Sequence, residues 1–209
     1  MSDDRLAQQI AFLIEADKLK QVVRRTPLVD SSRRENSAEH SWHLVVAAIV
    51  LREHSAGEID LLRVLEMLAV HDLVEIDAGD TFAYDVQDLV TKAERELAAA
   101  ERVFALLPPD QASRVRSLWE EFEAHETPDA RFANAMDRLQ PLLQNACAQG
   151  GSWREHDVER EQVLRRMAPV QSAVPAAWPL VLKIVDDFCA SGVLRTTASV
   201  SGASDTPDL

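Results

Sequence analysis

Glycine is scarce in this chain, with 6 in 209 residues, and runs that alternate apolar with polar side chains are missing. Without the turn residue and the period-two pattern that strands use, a β-rich fold is set aside. Two cysteines, Cys147 and Cys189, are too few for a disulfide framework and follow no metal-ligand spacing, so both read as reduced helix residues. No stretch reaches the roughly 18 apolar residues of a membrane span, and MSDDRLAQQI lacks the basic region and apolar run of a secretory leader. The expectation is a cytoplasmic protein with no membrane partner. Basic residues are short as well: 22 Lys and Arg stand against 35 Asp and Glu, a formal charge of −13. A nucleic-acid surface is normally basic, which leaves small molecules or proteins as partners.

What the chain does have is 46% hydrophobic residues recurring at helical spacing in nearly every segment, which reads as all-α. The pattern predicts helices over about 4 to 23, 37 to 54, 59 to 76, 88 to 107, 110 to 125, 128 to 148, 157 to 171 and 176 to 190. The run Leu44 to Leu51 is wholly apolar and Ile59 to Val70 nearly so, which predicts two central helices packed on each other. Pro108 and Pro109, ETPDA at 126 to 130 and GGS at 150 to 152 punctuate the helices. One domain over 1–195 is expected, followed from 196 by a small, polar, disordered tail.

Polar residues interrupt this apolar pattern in three places. In NSAEHSWHLV, Asn36 with Glu39 has the form of a helix-start capping pair, but His40 and His43 are left without a reason. In MLAVHDLVEIDAGD, His71 and Asp72 break an apolar face and are followed by Glu75, Asp77 and Asp80. Burying them costs free energy unless each finds a partner, and adjacent helical residues lie about 100° apart, near enough for an imidazole and a carboxylate to meet one ion. In RFANAMDRLQPLLQN, Asp137 flanks the apolar stripe, and Pro141 has no N–H for the carbonyl of residue 137, which predicts a bend or opening there.

Taken in order, these are a His, a His-Asp pair and a distant Asp. With LKQVVRR, RRENSAEHSWH, HDLVEIDAGD and DRLQPLLQN they span about 19 to 146, and the chain resembles the HD-domain metal-dependent phosphohydrolases, most of all their 5′-deoxynucleotidase branch. The resemblance implies an HD-domain helical bundle with His40, His71, Asp72 and Asp137 as metal ligands. It gives His43 no ligand role and leaves it to packing or support. His54, His125 and His156 occur in charged contexts and read as exposed.

Two nitrogen and two oxygen donors suit one divalent Mn, Co, Ni, Fe or Zn ion, which would activate water for attack on phosphorus. Only His125 lies between the HD pair and Asp137, whereas dinuclear relatives use more histidines there, which favours one metal and a phosphomonoester. RRTPLVDSSRR carries four Arg and one Asp, a local excess that reads as an anion site. From the resemblance, Arg24 binds the phosphate, Glu75 orients or deprotonates the water, and Asp80 transfers a proton or positions substrate. Arg25 stands where characterised bacterial relatives carry an aromatic residue against the sugar, so ribose and deoxyribose both stay open. Trp42 offers a ring to the pocket or to the core. The implied substrate is a nucleoside 5′-monophosphate, 2′-deoxyribonucleotides included. The alternatives are another small phosphorylated metabolite, or a metal-stabilised scaffold without turnover. Relatives are often dimers, and the amphipathic faces at 93 to 107 and 176 to 190 are the expected homodimer surfaces.

Overall fold

The computed structural model describes residues 2–84 and 86–196, and they form a helical fold with one small hairpin. The expected tail lies outside the described residues from 197 onward. Helix α1 (Ser2–Ala16) ends earlier than its periodicity suggests, passing through a 3₁₀ turn at Asp17–Gln21. The hairpin follows, with β1 (Val23–Pro27) antiparallel to β2 (Arg34–Asn36). The described residues are otherwise helical, as the all-α expectation has it, and this short pair is a local addition. On β1 the inward residues are Arg24 and Thr26 and on β2 Glu35, so the pleat alternates in burial while its buried side is polar.

Helix α2 (Ser37–Leu51) starts at a complete capping box: the Asn36 side chain accepts from the Glu39 N–H, and the Glu39 carboxylate accepts from the Asn36 N–H. It packs on α3 (Leu61–Val70) as expected, but it is not buried all round. Leu44 and Ala48 are sealed in the core, whereas Trp42, Val46, Ile49 and Val50 are exposed. α3 ends at Val70, and His71–Val74 is a 3₁₀ turn before the single-turn α4 (Glu75–Ala78). The His-Asp pair therefore sits on a tighter turn than the continuous helix to residue 76 that the periodicity suggests.

Beyond these come α5 (Val86–Phe104), α6 (Pro109–Ala124), α7 (Pro128–Cys147), α8 (Gly151–Glu155), α9 (Arg160–Ala173) and α10 (Trp178–Ala190). The first prolines of α6 and α7 occupy the start of each helix, where their missing N–H costs nothing. α7 is the central post: it packs on α2, α3, α6 and α9, and Phe132, Ala133, Ala135, Met136, Leu139 and Leu142 are buried along it. It continues through Pro141 as one helix, so the expected opening beside Asp137 is absent. Packing on several sides holds the segment helical although one carbonyl loses its donor. The faces expected to join two copies are largely used within the chain: Ala99, Ala100, Val103 and Phe104 of α5 and Val181 and Val185 of α10 are buried. The longer exposed apolar rows lie on α2 and on α1, where Leu6, Ile10, Leu13 and Ile14 face outward.

Candidate active site

Five segments deliver the site: the hairpin, the first turns of α2, the 3₁₀ turn after α3, α4 with the residues just after it, and the middle of α7. Donor atoms of His40, His71 and Asp72 all lie within 4.8 Å of one another, and all three residues are buried. Asp137 joins through His40, with Oδ1 2.9 Å from Nε2. Its ion pair with Arg138 is within the same chain turn.

Each histidine is fixed from behind. His71 Nδ1 donates to the Leu68 carbonyl at 3.0 Å, so its Nε2 carries a lone pair. That Nε2 is buried without a hydrogen-bond partner and lies 3.1 Å from Asp72 Oδ1, also a lone-pair atom. Two acceptors that close in a buried place need a cation between them. His40 Nδ1 donates to Gln140 Oε1 at 3.0 Å, while Gln140 Nε2 donates to Glu35 Oε1 at 2.8 Å and to His43 Nδ1 at 3.1 Å. Gln144 Nε2 donates to the same Glu35 oxygen at 2.8 Å. This relay keeps Nδ1 as the protonated nitrogen of His40 and points Nε2 toward Asp137. Imidazole nitrogens and carboxylate oxygens in this arrangement fit a first-row divalent ion.

The charges around these donors are strongly perturbed. Burial and Arg24 both push His40 down, but hydrogen bonds with Asp137 and Glu35 prevail and lift its pKa to about 9. Burial holds His71 below its ordinary value. Asp137 resists the upward push of burial and stays well below the carboxylate range because of Arg138 and His40. Glu75 is raised well above that range by burial and by Asp72, and Ser37 Oγ donates to its Oε2 at 2.6 Å. Burial, with Asp72, also raises Asp80. Arg24 offsets this crowd of acids: its Nη1 lies 2.9 Å from Asp72 Oδ2, 3.5 Å from Asp80 and 3.7 Å from Glu75.

A cavity of about 220 Å³ opens in front of these groups, lined by Arg24, His71, Asp72, Glu75, Asp80 and Asp137. Arg25 is exposed, on a smaller hollow of about 40 Å³ that Arg24 and Asp80 share. Its main-chain N–H, not its guanidinium, meets Asp80. Trp42 belongs neither to the core nor to the cavity; it is exposed and lines a separate groove with His43 and Val29. His54, His125 and His156 are all exposed, although His125 reaches the cavity wall.

Sequence reading missed several residues here. Glu35, Gln140 and Gln144 support His40, and the spacing of Gln140 and Gln144 at three and seven positions after Asp137 was a usable signal that they share its helix face. Lys92, Glu96, Glu123, Arg138 and Arg166 also line the cavity. Burial raises Glu96 to about 7 despite Lys92 at 3.3 Å.

A sequence profile described as HD domain matches residues 16–178. The chain belongs to the HD-domain family. Among proteins with HD-domain similarity, the 5′-deoxynucleotidase HDDC2 of Homo sapiens is 28% identical over 136 residues, covering 65% of this chain and 65% of that protein. The 5′-deoxynucleotidase hdd1 of Schizosaccharomyces pombe is 26% identical over 117 residues, covering 53% and 56%. The chain thus spans somewhat under two thirds of the length of these curated relatives. A crystal structure described as a predicted metal-dependent phosphohydrolase from Magnetospirillum magnetotacticum MS-1 superposes with a TM-score of 0.88 at 47% identity, covering 93% of this chain and 97% of that one. Among the described residues, no helix of this HD domain is long and apolar enough to cross a membrane.

Proposed function

We propose that this chain is a metal-dependent phosphohydrolase that releases phosphate from nucleoside 5′-monophosphates, 2′-deoxyribonucleotides among them. The observation that carries the reading is the buried, partnerless Nε2 of His71 facing Asp72, with His40 close behind and Asp137 and Glu75 on the same cavity. The names of the HD-domain relatives support the phosphoester and the nucleotide.

His40, His71, Asp72 and Asp137 would hold the ion. When bound, a divalent ion supplies positive charge for the phosphoryl oxygens and makes water more acidic. The chain's own groups then manage protons. Glu75 is anchored through Oε2 by Ser37, which leaves Oε1 to take a proton from the attacking water. Its raised pKa suits that task, since a carboxylate in the ordinary range is too weak a base near neutral pH. As the water oxygen bonds to phosphorus, the bond from phosphorus to the 5′ oxygen breaks, and Asp80, also raised, returns a proton to the leaving oxygen. Arg24 keeps Asp72, Glu75 and Asp80 from repelling one another. Its Nη2 makes no hydrogen bond with any described residue and is left for a phosphoryl oxygen. Arg25, at the rim, faces the sugar end of the ligand. A homodimer joined through the exposed rows of α1 and α2 belongs to the same reading.

The test is a phosphate-release screen over ribo- and deoxyribonucleoside monophosphates and simple sugar phosphates, using chelator-treated protein supplied in turn with Mn, Co, Ni, Fe or Zn. Release from 5′-monophosphates only with an added ion is expected. No release from any compound would overturn the proposal in favour of a metal-stabilised scaffold.

A further inference from the structure

Four cationic side chains line the cavity, and three already have carboxylate partners. Arg24 bonds to Asp72, Lys92 to Glu96 and Arg138 to Asp137. Arg166, on α9, makes no hydrogen bond or ion pair with any described residue. In a chain with 35 acidic residues against 22 basic ones, a missing partner is not for want of acids. Arg166 also stands at a junction. It lines the catalytic cavity, the small hollow beside it and an outer hollow of about 310 Å³ that it shares with Tyr84, Gln162 and Arg165.

We propose that Arg166, with Arg138, is the clamp that grips the phosphoryl group of the substrate, and so selects phosphomonoesters over less charged ligands. The inference rests on the phosphohydrolase reading above and adds a residue that the H, HD, D pattern does not contain. Arg138 follows Asp137 directly in the chain and shares two of these cavities with Arg166, so the two cations border the same space as His71, Asp72 and Asp137. Two guanidinium groups converging on one partly buried space repel each other unless an anion lies between them. Burial and the nearby Arg138 push the Arg166 pKa down to about 10, the direction expected of a cation that lacks its counterion. A guanidinium remains charged at that value near neutral pH, and its planar fork matches two phosphoryl oxygens at once. Arg24 and Arg138 each have Nη1 held by an aspartate, so neither offers the complete fork that Arg166 does.

The experiment measures kcat and KM for a nucleoside 5′-monophosphate, and inhibition by inorganic phosphate, on metal-loaded wild type, Arg166→Gln, Arg166→Lys and the control Arg160→Gln. Arg160 is half-buried on α9, lines none of these cavities and pairs with Asp186. Loss of a charge-assisted pair of this kind should weaken both KM and the phosphate inhibition constant about 10- to 100-fold in Arg166→Gln, with metal content unchanged. Arg166→Lys should recover part of the loss, since a point charge replaces the fork, and Arg160→Gln should match wild type. Values within twofold of wild type for Arg166→Gln would overturn the clamp. Should wild type release phosphate from nothing, the parent reading fails, and calorimetric binding of inorganic phosphate to wild type against Arg166→Gln still decides this one. If the glutamine variant melts early, the lysine variant carries the comparison.

Discussion

Replacing Glu35 with glutamine probes how the fold holds His40. Glu35 is 1% exposed, and each of its oxygens faces nitrogen. Oε1 accepts from Gln140 and Gln144, both at 2.8 Å, while Oε2 lies 3.4 Å from His40 Nδ1 and 3.9 Å from Arg24 Nε. A carboxamide of the same shape must turn its NH₂ toward one of these sides, so one donor meets another donor in either orientation. That leaves a buried donor unsatisfied, at a cost of about 1–3 kcal/mol. For a chain of this size the melting temperature should fall by roughly 2 to 12 °C. The disturbance passes through Gln140 to His40 Nδ1, and loss of such outer support typically weakens metal affinity by about 10- to 100-fold. Burial raises the Glu35 pKa, but His40 and Arg24 outweigh it and the value ends below the ordinary one. The folded state therefore favours the charged form. The advantage of wild type over Glu35→Gln should be complete above the unfolded carboxylate pKa, and should fade as pH falls through the lower folded value. Chelator competition gives the affinity and thermal melts give the stability, with the exposed Glu155→Gln as control. Unchanged affinity and unchanged melting in Glu35→Gln would refute the relay.

Glu75→Gln should retain metal and lose about 10²- to 10⁴-fold in kcat; activity near wild type would remove Glu75 as the proton acceptor. Glu96 makes a stability prediction of opposite sign to Glu35. Its folded pKa of about 7 exceeds the unfolded value, so the native state binds the extra proton between about pH 4.5 and 7 and stability falls as pH rises through that window. Glu96→Gln should flatten that fall and gain up to ~3 kcal/mol above pH 7; melts from pH 4.5 to 8 in chelator decide, and parallel profiles for both proteins would contradict it. Reloading chelated protein with an ion at about 100 times its dissociation constant should stabilise the fold by about 2.7 kcal/mol, or roughly 5 to 10 °C, and an unmoved melt would exclude specific binding.

The helices were legible because their apolar residues recur at helical spacing, and the His-Asp pair because polar residues stood out in an apolar run. The hairpin was not legible, since its inward side is Arg24, Thr26 and Glu35 and so carries no apolar alternation. The same substitution of polar for apolar hid Glu35, Gln140 and Gln144, whose burial depends on satisfying one another. Arg166 lies on α9 beside Arg165 and after Arg160, where one more Arg looks like any solvated residue, and only the placement of α9 against α7 gives it a role. The exposed face of α2 was misread for the converse reason. An unbroken apolar run fixes no side as inward, and the packing of α3 and α7 chose one.

One rod of backbone serves two masters in this molecule. The face of α7 that bears Phe132, Met136 and Leu139 is wedged into the interior, while the same helix carries Asp137, Arg138 and Gln140. A close-packed interior passes small misfits along rather than absorbing them. Volume changes made elsewhere along this helix should therefore tilt the Asp137 carboxylate like the short arm of a lever, which gives this interior a narrower tolerance for drift than its stability alone demands.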